Sequence, residues 1–429
     1  MVVIKASLFL KLPELTAAAL AIMADSVNDS GDFTVLCIGR SVFINDVKAL
    51  ATFGNKVKYI VISKEYFGKI FHHFFDRYDL KTLTEKTYHN PGFCLEGKRE
   101  YNAYLFHLLP VLKRLLGFDA MLSGNFGYQE QQEIEEVSTQ QNIPFIILHK
   151  EGLITPGSEA GWAGIYSFYK FRGAKALFYN RRMKDIYCGL SSSGVTEKNS
   201  KIVGMPRLDF YFPMAKSKPT RKQVLFFSFY SDDKMQWLAK ENESQVRQIR
   251  QRSDDFHKWV VKFAANHPDI PVIIKTKMSS HYIQYVQGII NDNFKQAISN
   301  LTVINVGEII DLINNASVVI GFNSTTCLKA IVTNRLLISP YLGDIFSDKS
   351  WDYFGEFPEL VNYAKTEADL TKLIMNSASG PVSDSQGEKR KVDFLNDMVF
   401  NSDGQASRRA ELEIINTIQE YKNKEHEIN

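Results

Sequence analysis

The stretch SVVIGFNSTTCLKAIVTNRLLISP, residues 317–340, contains the pattern that decides the fold. It begins with a short apolar, β-branched run, as in a strand buried on both faces of a sheet. A polar turn follows at 321–326, then a short helix at 327–332 and a second buried strand at 336–339. Strand, helix and strand in this order predict a βαβ unit of a parallel sheet.

The polar turn of this unit contains Asn323, Ser324, Thr325 and Thr326. A Ser or Thr at the start of a helix caps it, and the unpaired backbone N–H groups of the first turn can bind an anion. The turn follows the carboxyl end of a strand, which is the edge where ligands bind in open α/β sheets. We therefore predict that the turn binds a phosphate group. The alternative is an ordinary capped helix start.

Composition indicates a globular protein of two domains. The chain has 429 residues, of which 45% are hydrophobic and 12% aromatic, enough for two cores. Its 51 basic and 48 acidic residues give a net charge of +3, which disfavours nucleic acid as the main partner. The cysteines lie too far apart to suggest a zinc site or a disulfide framework, so we expect a reducing compartment. They are Cys37, Cys94, Cys188 and Cys327.

The amino-terminal residues 1–23 are apolar in part, but Lys5, Lys11 and Pro13 interrupt them. The uninterrupted apolar run is shorter than the roughly 20 residues that a membrane-spanning helix needs. We interpret the segment as a first strand and a helix, and we expect a cytoplasmic protein without a signal peptide.

Strands and helices alternate along both halves of the chain, which predicts an α/β fold with parallel sheets. The basic stretch 216–220 contains proline and no apolar residue, so we interpret it as a linker. The predicted domains are 1–215 and 221–400. A C-terminal helix at 401–429 could pack back on the first domain.

In the first domain, the ionisable residues His149, Lys150 and Glu151 follow a predicted strand at 144–148. A carboxylate with apolar neighbours has its pKa raised toward neutrality, so Glu151 is a candidate general base. The alternative is a solvated loop carboxylate.

In the second domain, four predicted strands are each followed by polar residues. Because the carboxyl ends of parallel strands meet at one edge, we expect a single site that combines cations, hydroxyl groups and carboxylates. No DxD motif or histidine cluster accompanies them, so no metal is predicted. These residues are Ser231, Asp232, Lys275, Lys277, Asn305, Glu308, Asn323, Ser324, Thr325 and Thr326.

Three motifs, GMPRLDFY (204–211), FFSFYSDD (226–233) and GFNSTT (321–326), occur in this order, and the segment DGQASRR (403–409) follows them. Together with the two α/β halves, they make the chain similar to GT-B glycosyltransferases. More narrowly, the chain resembles the bacterial retaining β-Kdo transferases of lipopolysaccharide O-antigen synthesis, of the WbbB type. Kdo is 3-deoxy-D-manno-oct-2-ulosonic acid.

The resemblance implies two Rossmann-like domains that face a central cleft, with 1–215 on the acceptor side and 221–400 binding the nucleotide-sugar donor. The implied donor is CMP-β-Kdo, used without a cofactor or metal. The implied acceptor is a lipid-linked or oligosaccharide chain at the cytoplasmic, inner face of the bacterial inner membrane, with peripheral membrane association left open.

The resemblance also assigns a role to one residue, and the strand ends supply the others. In that family an aspartate of the second domain attacks the sugar, and this role falls on Asp232; the alternative is that it only caps the next helix. Ser231, Lys275, Lys277, Glu308 and the turn 323–326 are expected to bind the donor. Glu151 would act as the base, and we predict that His149 and Arg207 lie on the acceptor side.

Two other hypotheses stay open. A related transferase could use another CMP, CDP or UDP donor that carries sialic acid or glycerol phosphate. Alternatively, the chain could be a non-catalytic GT-B-like module that binds glycans.

Overall fold

The computed structural model describes residues 2–40, 42–75, 82–217, 219, 222–229, 242–346, 351–376 and 385–428. The chain forms two units, each built around its own sheet. The first consists of Met1–Gly152, Glu159–Asp209 and Asn396–Asn429, and the second of Leu153–Ser158 and Phe210–Leu395. The sequence had placed 210–215 in the first domain and 396–400 in the second.

A seven-stranded sheet forms the centre of the first unit. Its order is β1-β3-β2-β4-β5-β6-β7, and all neighbours are parallel except β1 and β3. The central strands are apolar runs that are buried along their length, as expected where helices cover both faces. The strands are β1 (Asp25–Ser26), β2 (Phe33–Gly39), β3 (Val57–Ser63), β4 (Ala120–Ser123), β5 (Phe145–His149), β6 (Lys175–Phe178) and β7 (Ser200–Ile202).

The second unit has a six-stranded, fully parallel sheet of order β10-β9-β8-β11-β12-β13. The chain runs outward from β8 to β10 and then returns to the other side of β8 at β11. The topological switch point, where open α/β sheets bind their ligands, therefore lies between β8 and β11. The strands are β8 (Gln223–Phe227), β9 (Val272–Lys275), β10 (Leu301–Ile304), β11 (Ala316–Ile320), β12 (Leu336–Pro340) and β13 (Asn362–Ala364).

Helices connect these strands. Those that begin in the first unit are Val2–Phe9, Pro13–Ile22, Phe43–Phe53, Lys64–Phe75, Glu85–Tyr88, Leu95–Leu116, Gln132–Gln140, Glu159–Tyr166, Arg181–Gly189 and Ala406–Ile428. Those that begin in the second are Glu243–Asn266, Ser280–Asn293, Ile309–Asn315, Thr325–Val332, Glu367–Met375 and Ser385–Val399. Segments of 3-10 helix are Gln129–Gln131, Pro206–Lys216 and Pro358–Leu360. Within the described ranges, no helix has both the length and the apolar character needed to cross a membrane.

Two buried carboxylates attach the C-terminal helix to the first unit. Asp209 accepts hydrogen bonds from the backbone N–H groups of Ala406 (3.3 Å) and Ser407 (2.7 Å), so it caps the start of this helix. Further along the helix, Glu411 accepts from three consecutive backbone N–H groups at 55–57, at 3.1 to 3.2 Å. These contacts explain why residues after Asn396 belong to the first unit.

The structure corrects the prediction of a strand at the amino terminus, because Val2–Phe9 is a helix. Ile4, Ser7 and Leu8 are buried while Val3 and Phe9 are exposed. This spacing of three and four residues is that of one helix face. The β-branched residues at its start misled the sequence-based interpretation.

A single long helix, Glu243–Asn266, precedes β9. Its buried positions Ile249, Ser253, Phe256 and Val260 continue one face without a break. The Oδ1 atom of Asn242 accepts from two N–H groups of the first turn and so fixes where the helix begins.

Candidate functional site

The turn after β11 is a capped helix start, as the sequence predicted. Ser324 has extended backbone angles, and its Oγ accepts from the Thr326 N–H at 3.4 Å and from the Thr326 hydroxyl at 2.9 Å. The helix Thr325–Val332 then begins beside the switch point of the sheet. Its first turn combines helix N–H groups and side-chain hydroxyls, a combination that suits an anion.

Asn323 stabilises this turn through its backbone conformation and two side-chain hydrogen bonds. Its φ of 40° lies in the left-handed region, which Asn tolerates better than most residues. Its Nδ2 donates to the Trp351 carbonyl at 2.5 Å, and its Oδ1 accepts from the Tyr353 N–H at 3.0 Å. The amide therefore holds the loop that contains 351–353 against the turn.

Lys275 ends β9 and is only 9% exposed. Its Nζ donates to the carbonyl oxygens of Thr276 (2.8 Å) and Asn305 (2.9 Å), so it connects the ends of β9 and β10. Burial lowers the pKa of Lys275. An ammonium group carries three N–H donors, and these two bonds leave one for a ligand.

The remaining predicted donor-side residues lie around the same strand ends. Lys277 is exposed, and its Nζ lies 3.1 Å from the Tyr282 hydroxyl and 4.7 Å from the centre of that ring. Asn305 donates to the Met278 carbonyl at 3.2 Å, and Glu308 is the exposed residue before the helix Ile309–Asn315. Strand order places the carboxyl ends of β10, β9, β8 and β11 side by side.

Ser231 and Asp232 lie outside the described residues, between 229 and 242. Their roles stay predictions from the sequence.

A serine and histidine pair lies at the end of β8 and was not predicted from the sequence. The hydroxyl of Ser228, the residue after β8, lies 2.8 Å from His257 Nε2, and His257 Nδ1 lies 2.7 Å from the Ser253 carbonyl. Burial lowers the pKa of His257 to about 4, so the ring is neutral near pH 7. Since a carbonyl only accepts, Nδ1 carries the proton and Ser228 donates to Nε2. The only signal in the sequence was the position of Ser228 at a strand end.

In the first unit, His149 ends β5 and is fully buried among aromatic rings. The rings of Phe126, Phe178 and Tyr187 have centroids 5.1 to 5.6 Å from its own. Burial lowers the pKa of His149 to about 4. The structure thus places this residue in the core rather than on an accessible surface.

Glu151 lies two residues beyond β5, and its side chain is 47% exposed and paired with Lys150. Burial raises the pKa of Glu151, but Lys150, followed by His149 and Arg207, lowers it more, so the net shift is downward. The expectation of a raised pKa was therefore wrong, because the positive charge of the neighbouring Lys150 stabilises the ionised carboxylate. The role of Glu151 as a base stays a prediction.

Arg207 lies in a buried network of the first unit. Its Nη1 donates to Asp46 Oδ2 at 2.6 Å and to the Tyr179 hydroxyl at 2.8 Å, and its backbone N–H donates to Asp46 Oδ1 at 3.1 Å. Tyr179 in turn donates to Asp46 at 2.7 Å. Arg207 and Asp46 are 5% and 0% exposed. These contacts join segments that are far apart in sequence. Arg207 therefore has a structural role in the first unit.

Replacing Glu151 by Gln keeps the shape of the side chain and removes its basicity. We expect transfer to fall while nucleotide binding stays near that of the parent, since general-base catalysis contributes roughly 10²- to 10⁴-fold. Because the pKa of Glu151 lies below its ordinary value, the carboxylate is ionised at neutral pH. Rates measured across pH should therefore show no acidic limb near neutrality.

The matched control for this prediction is Glu420→Gln, an exposed glutamate of the C-terminal helix. Unchanged transfer in Glu151→Gln would remove this residue from the mechanism.

No protein-family model matches this sequence, and no curated protein matches it. Solved structures do match. A putative UDP-N-acetylglucosamine 2-epimerase from Listeria monocytogenes matches with a TM-score of 0.51 and 10% identity, covering 90% of this chain and 97% of that one. Wall teichoic acid polymerase TagF matches with a TM-score of 0.51 and 12% identity, covering 97% and 96%.

At 10% and 12% identity these similarities show the fold alone. Both neighbours are GT-B-like, and both are matched over nearly their whole length. The predicted fold class is therefore confirmed: the chain has an α/β, GT-B-like fold with two parallel-sheet domains.

Proposed function

We propose that this protein is a retaining GT-B glycosyltransferase that moves β-Kdo from CMP-β-Kdo to the end of a surface polysaccharide. The observation that carries the proposal is the edge of the second sheet at the β8 and β11 switch point. There the capped start of Thr325–Val332 and the end of β9 at Lys275 lie on two sides of β8. A nucleotide phosphate and a sugar carboxylate need such donors.

In the proposed reaction, the donor phosphate binds at Ser324, Thr325 and Lys275. The carboxylate of Asp232 attacks the anomeric carbon, and the bond from that carbon to the phosphate oxygen breaks, releasing CMP. The acceptor hydroxyl then attacks the same carbon, Glu151 takes its proton, and the bond to Asp232 breaks. Two inversions at one carbon retain the β configuration.

A second candidate function shares the fold and differs in the donor. The similarity to a wall teichoic acid polymerase over 97% of this chain favours extension of another surface polymer. The transferred unit would then be one such as glycerol phosphate or sialic acid, carried by CDP, CMP or UDP.

The donor that supports turnover distinguishes these candidates. We expect turnover with CMP-β-Kdo, which releases CMP, and no turnover with CDP-glycerol, CMP-sialic acid or UDP-N-acetylglucosamine. Turnover with one of these other donors, and none with CMP-β-Kdo, would instead favour the second candidate. Absence of turnover with every donor, together with nucleotide binding, would favour a non-catalytic binding module.

The phosphate site predicts a loss of nucleotide affinity on substitution. We expect Ser324→Ala and Lys275→Ala each to weaken CMP binding by about 1.5 to 3 kcal/mol, because each removes a hydrogen bond to a charged group. Calorimetric titration measures this. Lys275 also bonds two backbone carbonyls, so unfolding of each variant is measured alongside.

Ser299→Ala is the matched control, because this exposed serine precedes β10 at the opposite edge of the same sheet. If both site variants bind CMP as tightly as Ser299→Ala, the phosphate site has been assigned to the wrong residues.

A further inference from the structure

A cleft of about 620 Å³ opens in the first unit between the helices Leu95–Leu116 and Gln132–Gln140. Tyr88, His89 and the segment 170–172 complete its walls. This volume is within the usual range for small-molecule sites, roughly 300 to 1,000 Å³. We call it the basic cleft.

Cations outnumber carboxylates in its lining by four to two. Glu136 is paired with Arg172 at 2.6 Å, and Glu133 is buried and accepts from the Tyr88 hydroxyl at 2.6 Å. Lys98 Nζ donates to the neutral Tyr88 carbonyl, also at 2.6 Å. Burial lowers the pKa of His89 to about 4, so His89 adds no charge near pH 7. The four cations are Lys98, Arg99, Lys170 and Arg172.

The cleft also holds polar atoms that lack partners. Gln132 is 1% exposed, and its Nε2 donates to the Phe126 carbonyl. Within the described part of the chain, its Oε1 and the buried Nε2 of His89 have no hydrogen-bond partner. Leaving a buried polar atom unpaired costs about 1 to 3 kcal/mol, so these two atoms favour a polar group that reaches them.

Two aromatic rings, those of Tyr88 and His89, line the cleft beside these groups. His89 packs against Tyr169 with ring centroids 5.2 Å apart and against Phe168 at 5.9 Å. Tyr88 carries Lys98 over its face at 4.6 Å. An apolar surface, an unpaired acceptor and a buried carboxylate beside cations match one kind of molecule, a ring with hydroxyl donors and an anionic group.

We propose that the basic cleft binds an acidic saccharide, with hydroxyl groups donating to Gln132 and Glu133 and a carboxylate or phosphate on Arg99 and Lys170. This inference rests on the proposed function, because it takes the bound saccharide to be the acceptor, a glycan that carries acidic residues. Of the helices that bound the cleft, Gln132–Gln140 follows β4, so it begins on the side of the sheet where that strand ends.

The test is calorimetric titration of the full chain with tetragalacturonic acid, the neutral maltotetraose and sodium sulfate. We expect the acidic tetrasaccharide to bind at least about tenfold more tightly than the other two, and less tightly as salt rises from about 0.05 to about 0.3 M. In the Arg99→Glu/Lys170→Glu variant we expect this affinity to fall by about tenfold or more. Both side chains are exposed, so folding should be preserved.

The matched control is Lys5→Glu/Lys48→Glu, which makes the same charge change at exposed lysines of the same unit, outside the cleft. Equal losses in both variants would mean a general charge effect and would overturn the proposal. Sulfate binding as tight as that of the tetrasaccharide would mean a simple anion site and would also overturn it. CMP titration of the same proteins separates the two claims: CMP binding without saccharide binding rejects only the cleft, and the reverse rejects only the nucleotide site.

Discussion

Transfer activity is expected to fall by roughly 10³-fold or more in Asp232→Asn, with nucleotide binding and stability unchanged. The amide has nearly the shape of the carboxylate but cannot act as the nucleophile of a double displacement. The measurement is product formation from CMP-β-Kdo, with CMP titration and urea unfolding on the same protein. Asp233→Asn, the neighbouring aspartate, is the matched control.

A helix-capping role for Asp232 predicts the opposite pattern. Loss of a cap costs about 0.5 to 2 kcal/mol of stability and leaves the chemistry intact. Incubation with donor and no acceptor adds a direct readout, because mass spectrometry should find a Kdo-sized adduct on the peptide that contains Asp232. An inverted product, or an adduct elsewhere, would contradict the proposed nucleophile.

The second large effect concerns stability. In Asp46→Ala, the Arg207 guanidinium loses its ion-pair partner while it remains buried, and we expect the free energy of unfolding to fall by about 3 to 5 kcal/mol. Replacing both residues with apolar ones, Asp46→Leu/Arg207→Met, should restore much of this loss, because no buried charge is then left unpaired. Urea unfolding of the two variants and the parent protein measures the loss and its restoration.

Arg99→Met is the control, since the Arg99 side chain is 79% exposed and its nearest carboxylate, on Glu96, lies 4.0 Å away. Such surface pairs contribute about 0 to 1 kcal/mol. If Asp46→Ala costs no more than Arg99→Met, the buried network does not stabilise the first unit.

The fold was largely predictable, because local patterns determine it. The run at 317–320, the polar turn and the apolar run at 336–339 each have the period and composition of the element observed. In the second sheet, parallel alternation then places the carboxyl end of every strand at one edge, so the grouping of Lys275, Asn305 and Ser324 followed from the order of elements.

Side-chain partners were not predictable in the same way. Asp46 and Arg207 are 161 positions apart, and nothing local to either residue indicates the other. His257 lies in the middle of a helix and acquires its partner Ser228 only when that helix packs on β8. The basic cleft combines four segments of the chain, so its positive charge could not be predicted from the sequence alone.

The central claim is that the edge at β8 and β11 binds a cytidine nucleotide. Thermal unfolding with CMP, CDP and UDP tests it most directly, since a ligand at 100 times its Kd stabilises a protein by about 2.7 kcal/mol. We predict a clear rise in Tm with CMP, a smaller one with CDP and UDP, and loss of the CMP effect in Ser324→Ala but not in Ser299→Ala. No rise with any of the three nucleotides, or an equal rise with CMP in both variants, would contradict the account.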